Sequence, residues 1–334
     1  MKTSQLSKVA INIIGIILVL FSIGVSISYG ATNIDLHTVW QSIFQFDPDQ
    51  QSHQVIRELR IPRALAAVLA GAFLAVSGAV MQGMTRNPLA SPSIMGVTDG
   101  AAFMLVIMLA FFPAVSNNGS TFAAFFGAGL AVTLVFLVGS FSGGGLTPVK
   151  LALAGVAIGT LLRSLSSVIS LHFQLEKDIG FWLAGGLDGA GWGSVQMLAV
   201  AGLIGILLAF SISKSITVLS LGDDVSTGLG QNNTLIKIMG IIVVLILTGA
   251  AVSVAGAVGF IGLIIPHISR FIVGTDYRWI VPASAVFGAL LLVNADLAAR
   301  MINAPFETPV GAITSIIGVP FFLYLARGSG GDSK

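Results

Sequence analysis

Apolar residues run through this chain in long stretches, and most of its charged residues collect in the short polar segments between them. Runs of this kind lie near 9–29, 64–83, 94–112, 121–141, 151–171, 195–213, 279–298 and 308–326. About twenty apolar residues cross a bilayer as an α-helix, so each run predicts one span. The stretch 238–274 is 37 residues long and carries no charge between Lys237 and Arg270. It is too long for one crossing, and Gly256 and Gly259 let it turn back near its middle. Two spans there, the second one short, bring the expected total to ten in one domain over 1–334. The first run follows Lys2 and Lys8 and exceeds the apolar core of a signal peptide, and "SYGA" makes a poor cleavage site. A retained first helix is expected.

Composition agrees. Charged residues make up 9% of the 334 and hydrophobic ones 55%, with mean hydropathy +0.96. A soluble domain carries about 25% charged residues. A net charge of +2 without a basic face excludes nucleic-acid binding. The absence of cysteine excludes disulfides, thiolate metal sites and cysteine nucleophiles. Forty glycines and eleven prolines would disrupt soluble helices, but membrane helices tolerate them because neighbours satisfy the freed backbone groups.

Orientation follows from the excess of Lys and Arg in cytoplasmic loops. With both termini inside, ten crossings place Lys2, Lys8, Arg86, Lys150, Lys214, Lys237, Arg270, Arg278, Arg327 and Lys334 inside. Arg57, Arg60, Arg63, Lys177 and Arg300 fall outside, and Arg163 lies within a span. The stretch "RELRIPR" thus holds most of the positive charge on the face where such charge is scarce, and Arg300 ends another span there.

The chain also resembles itself. Gly71, Ala72, Val76, Gly78, Ala79 and Val80 recur 178 residues later as Gly249, Ala250, Val254, Gly256, Ala257 and Val258. Pro88, Ser91 and Gly96 recur at the same offset as Pro266, Ser269 and Gly274. The repeat covers about 60–175 and 238–327. Five crossings separate the copies, which predicts two inverted five-helix halves, an arrangement frequent in transporters.

No constellation for covalent chemistry is present. The sequence lacks GxxxxGK[ST], HExxH and GxSxG. His37, His53, His172 and His267 are scattered, so no metal site and no catalytic residues are expected. No span carries the series of buried acids that a proton- or sodium-driven transporter needs. Asp99 begins the third span, and Asp296, four residues before Arg300, predicts a helical ion pair. Energy for transport is therefore expected from another chain.

Two inside loops stand out. In 213–237, "LGDDVSTGLG" reads as a short helix opened by Gly222, Asp223 and Asp224, where acids suit the helix dipole, and closed by Gly228 and Gly230. It is either a connector or a rigid knob for a partner. In 84–102, Pro88 and Pro92 stop continuous helix and set an extended turn, as a plain loop or a gating segment. "GVAIG" (155–159) is a GxxxG pattern that permits close helix approach.

Taken together, "RIPRALAAVLAGAFLAVSGAVMQGMTRNPLASPSIMGVTDGA", "LSLGDDVSTGLG", "GAVGFIGLIIPHISRF" and "ETPVGAITSIIGVPFFLYL" resemble the FecCD/BtuC-type permeases, from about residue 10 to 327. These are membrane subunits of bacterial ATP-binding-cassette importers for ferric siderophores, haem and vitamin B12. The resemblance implies an all-α, BtuC-like type II importer fold in the bacterial cytoplasmic membrane. It implies a second permease (a copy or a paralogue), two cytoplasmic ATPases and an extracytoplasmic binding protein. ATP and Mg would sit on the ATPase, with no cofactor in this chain.

By the same resemblance, Arg60, Arg63 and Arg300 receive glutamates of the binding protein, with Arg57 one turn away to assist. Leu221, Gly222, Asp223 and Asp224 match the helix that enters a groove on the ATPase. Asn87 and Thr147, Pro148 and Val149 match loops that constrict the inner end of the pathway, and spans five and ten line it, which places Ser167 beside it. "LASPSIMGV", "LGDDVSTGLGQ" and "PFETPVG" look closest to siderophore members, so a ferric siderophore is the expected cargo, with cobalamin or haem as the alternative.

Arg163 goes beyond the resemblance. It sits about 14 residues into span five without an acid on its own helix. A charge there is costly and usually functional. It either faces the pathway and favours an anionic chelate, or it snorkels or pairs across the bundle. The rival classes are an ion-coupled secondary transporter, a membrane-embedded enzyme and a non-transporting scaffold.

Overall fold

The computed structural model describes residues 4–30, 34–141, 148–304 and 306–329, and those residues form helices joined by turns, with no strand among them. Seven stretches are long and apolar enough to cross a membrane. They are α1 (Gln5–Ser28), the stretch Gln51–Thr85, α6 (Asn117–Phe141), α7 (Pro148–Phe173), α9 (Trp192–Leu219), α11 (Asn233–Ala255) and α13 (Tyr277–Ile302). The stretch Gln51–Thr85 comprises α3 (Gln51–Val55), a π-helical turn (Ile56–Arg60) and α4 (Ile61–Thr85). Three shorter apolar helices, α5 (Val97–Phe111), α12 (Ile261–Val273) and α14 (Val310–Ser329), complete the ten expected spans. Two further helices, α2 (Leu36–Phe44) and α8 (Glu176–Ala184), lie outside the expected elements, and the short α10 (Asp223–Gly228) is the helix expected within 213–237.

The break inside 238–274 is where the glycines put it. Gly256 ends α11 with φ +66°, a left-handed backbone that favours glycine, and α12 begins at Ile261. The two helices do not close as a plain hairpin. From the break, α12 runs off to pack on α4 and α13.

The centre of the bundle is α4, which packs on α9, α11, α12 and α13. Its sequence explains the position. Ala64, Ala66, Ala67, Ala70, Gly71, Ala75, Gly78 and Ala79 are all buried, and small residues let membrane helices approach closely. Gly71 lies against the backbone of Gly288 in α13, and Gly78 against that of Gly262 in α12. A Cβ at either would overlap a main-chain carbonyl.

Contacts recur in pairs between the first five spans and the second five. Helix α4 packs on α13 as α11 packs on α6; α5 packs on α6 as α12 packs on α13; α5 meets α11 as α12 meets α4. The 178-residue offset lays 61–77 of α4 on 239–255 of α11, and beyond that the copies diverge. Gly78 is inside α4 whereas Gly256 terminates α11, and Pro88 stands in a turn whereas Pro266 lies within α12.

Candidate docking and coupling sites

The arginines of "RELRIPR" gather at one end of the bundle, the rim end. Pro62 lacks an N–H and so removes a helical donor, and the helix before it widens into the π turn that carries Arg57 and Arg60. Arg63 follows in the first turn of α4. Its Nε and Nη2 donate to Asp296 Oδ1 of α13 at 3.0 and 2.9 Å. Its Nη1 and Nη2 donate to the two oxygens of Glu307 at 2.6 and 3.1 Å. Asp296 is fully buried and also meets Arg300 Nε at 3.2 Å, the i,i+4 pair expected from the sequence.

Arg60 and Arg300 turn inward as well. Arg60 Nη1 donates to the carbonyls of Ile27 and Ser28 at 2.7 and 3.1 Å. Arg300 Nη2 donates to the Ser26 hydroxyl and carbonyl at 2.7 and 3.1 Å, and its Nη1 to the Tyr29 carbonyl at 3.3 Å. The last carbonyls of α1 have no helical partner of their own, and cations suit that end of a helix. Both side chains are thus buried as caps of α1, and the structure brings Arg60, Arg63, Asp296 and Arg300 into one cluster. Arg57 is the exposed member: its guanidinium stacks 4.5 Å over Phe46, and its carbonyl accepts from Trp192 Nε1 at 3.0 Å.

A cavity of about 750 Å³ opens beside this cluster, bounded by Arg63, Asp178, Trp182, Asp188, Glu307 and Val310. The chain entering α14 is stitched to its walls. Thr308 N donates to Ala299 O at 3.2 Å, Val310 N to Gly185 O at 2.9 Å, and Gly186 N to Ala255 O at 3.0 Å.

At the opposite, knob end, "DDVSTG" forms the short helix α10 that the sequence predicts. Gly222, with φ +131°, turns the chain into it. Asp223 pairs with Arg86 at 3.2 Å and with Lys237 at 3.1 Å. Asn233 Nδ2 donates to Asp223 O and Thr227 Oγ1, each at 3.1 Å, and Gln231 Nε2 to Ser215 O at 3.1 Å. These bonds fix the helix to α9 and α11. Leu221, Asp224, Val225 and Leu229 are left exposed on it. The outer face of this short, fixed helix is thus apolar and acidic. The same end is held by Asp276, which caps α13 and pairs with Arg278 at 2.7 Å; that hydrogen bond keeps its carboxyl below the ordinary carboxylate range.

Helix α4 joins the two ends. It carries Arg63 at the rim and Arg86 at the knob, separated by roughly 34 Å of helix. Arg86 ends it in a left-handed conformation. Asn87 follows, its side-chain oxygen accepting from Leu89 N at 2.9 Å in a tight turn. Pro148 and Val149 open α7, and Thr147 lies outside the described residues.

Arg163 of α7 pairs across the bundle with Asp99 of α5, Nη2 and Nε donating to Oδ1 at 2.9 and 3.1 Å. The charge that lacks an acid on its own helix finds one on another. Gly159, in the "GVAIG" pattern, makes room for the Asp99 carboxylate. The pair stands between two further cavities, of about 460 and 390 Å³, and Arg163 remains largely exposed in the single chain. Ser167 donates to Arg163 O at 3.0 Å. Glu307 and the buried Gln82–Arg270–Tyr277 cluster are polar groups that the sequence did not single out. Glu307 left one signal: an acid at the mouth of a span on the same face as the arginines.

Comparison with known proteins gives this geometry a family. The profile of the FecCD transport family matches residues 17–328. The chain belongs to the FecCD transport family. It is 59% identical to the iron(3+)-hydroxamate import system permease protein FhuB of Bacillus subtilis (strain 168), over 96% of this chain and 83% of that one. It is 47% identical to the iron-uptake system permease protein FeuB of the same organism, over 94% of each. Among solved structures it resembles an inward-facing chain described as a metal-chelate type ABC transporter, with TM-score 0.83 and 30% identity over 96% and 99% of the two chains. The all-α ten-span architecture is accordingly that of a BtuC-like ABC permease, and this FecCD chain is a multi-pass membrane transport subunit.

Proposed function

We propose that this chain is the permease subunit of an ATP-driven importer that carries ferric siderophores inward across the bacterial cytoplasmic membrane. One observation supports the reading above the rest: a single central helix has an arginine cluster at one end and an acidic, partly apolar knob salt-bridged to the other. In this reading both termini are cytoplasmic. The knob, through Leu221, Gly222, Asp223 and Asp224, seats on a separate ATPase that holds ATP and Mg. The rim receives carboxylates of an extracytoplasmic binding protein at Arg57 and Arg63, since guanidinium groups pair carboxylates bidentately, with the buried Arg60 and Arg300 adding positive charge beneath them. Lipid surrounds the bundle.

A second permease subunit belongs in the assembly as well. Leu153, Val156, Leu161, Leu165 and Val168 of α7 and Ile316 and Val319 of α14 present exposed apolar faces. Packing two chains along α7 and α14 would enclose a pathway between them, with Arg163, Ser167, Asn87 and the 147–149 segment near its inner half. The cargo assignment draws on the hydroxamate and iron-uptake permeases at 59% and 47% identity.

The test is uptake of labelled ferric chelates by the importer reconstituted with its ATPase and binding protein. ATP-dependent entry of a ferric siderophore is expected. Entry of cobalamin or haem alone would give the cargo to another branch of the family, and uptake that persists without ATP but collapses with the proton gradient would make the chain a secondary transporter.

A further inference from the structure

Both bidentate edges of Arg63 are already taken. A guanidinium offers five N–H groups in a fixed fork. On Arg63 the Nε and one side of Nη2 are taken by Asp296, and Nη1 and Nη2 reach both oxygens of Glu307 at 2.6 and 3.1 Å. The two acids differ in kind. Asp296 is fully buried and is shared with Arg300, so it is a fixed counter-charge. Glu307 is about half exposed and stands on a connecting segment, so it can leave into water. An acid arriving from outside can pair bidentately with Arg63 only on the edge that Glu307 occupies.

The position of Glu307 gives that exchange a consequence. Its neighbour Thr308 bonds to Ala299 of α13, and Val310, at the start of α14, bonds to Gly185. Gly185 follows α8, and Gly186 bonds to the last residue of α11. Glu307 and Val310 both border the 750 Å³ cavity. A side chain that ties Arg63 of α4 to the entrance of α14 is therefore also a clasp on the mouth of that cavity.

We infer that Glu307 is an internal stand-in for the docking carboxylate. It holds Arg63 while the rim is empty, is displaced when an acidic side chain of the binding protein arrives, and in leaving frees the start of α14 at the cavity mouth. The inference rests on the reading of the rim as a docking site and adds a residue and a sequence of events to it.

The experiment measures affinity of the binding protein for the intact importer in lipid nanodiscs, with wild type, E307Q, E58Q, R63K and R63Q. Glu58 is an exposed acid in the π turn, so E58Q changes the rim charge equally without releasing Arg63. The expected result is tighter docking in E307Q, on the order of three- to tenfold, little change in E58Q, and weaker docking in R63K and R63Q. Affinity in E307Q equal to or below wild type, with R63K or R63Q still weakened, overturns the clasp and leaves the docking reading standing. Equal tightening by E307Q and E58Q also overturns it, since bulk charge then suffices. Unchanged docking in R63K and R63Q removes the docking role of Arg63 and the clasp together. R63Q leaves Asp296 with one partner and is the variant at risk of misfolding; R63K keeps the charge and gives the same comparison without that risk.

Discussion

Arg86 holds Asp223 at 3.2 Å, so the residue that caps the central helix is salt-bridged to the first residue of the knob helix, 137 positions further along the chain. Both side chains are nearly half exposed. A pair so wet contributes only about 0–1 kcal/mol to stability. In the proposed importer it would transmit position instead. Arg86→Ala is therefore expected to leave the thermal midpoint of the purified permease nearly unchanged while lowering the number of chelates imported per ATP hydrolysed. Measuring uptake and hydrolysis in the same proteoliposomes checks this; an unaltered ratio would show that α10 moves independently of α4.

Asp296 is a different kind of acid. It is fully buried between Arg63 and Arg300, and removing one partner of a buried pair leaves charge uncompensated at a cost of about 3–5 kcal/mol. Asp296→Asn should lower the unfolding midpoint in detergent clearly. Thermal denaturation of the purified subunit reads it, and a midpoint equal to wild type would mean that water already reaches the cluster.

The Asp99–Arg163 pair predicts a selectivity effect. Arg163→Ala leaves the Asp99 carboxylate alone between two cavities, where it repels anions. Uptake of anionic ferric chelates should fall relative to neutral ones by about three- to tenfold, or roughly 1 kcal/mol. Competition uptake with paired chelates checks it. Equal effects on both classes would make the pair a strut between α5 and α7 and nothing more.

Local pattern made the spans readable. Hydropathy located ten apolar helices, including the short α12, because lipid forces every spanning segment to satisfy its own backbone. The Asp296–Arg300 pair and the α10 knob were equally legible, since i,i+4 spacing and glycine-flanked acids act within a few residues. What stayed hidden depends on chain segments far apart. Nothing near Arg63 announces Asp296 or Glu307, 233 and 244 residues away. Nothing near Arg163 announces Asp99. The sequence placed Arg60 and Arg300 on one face, and they do share one end of the bundle, but it did not show them buried as caps of α1. Helix α2 escaped because it is short; its Leu36, Trp40, Ile43 and Phe44 are exposed.

Labelling of single cysteines tests the opposed placement of rim and knob most directly, and the chain contains no cysteine to interfere. Leu59 beside the rim and Leu229 on the knob are both exposed. In intact cells a membrane-impermeant maleimide should modify Leu59→Cys and spare Leu229→Cys, and inverted vesicles should reverse the pattern. Modification of the knob but not the rim from outside the cell, or of both from one side, would contradict the account.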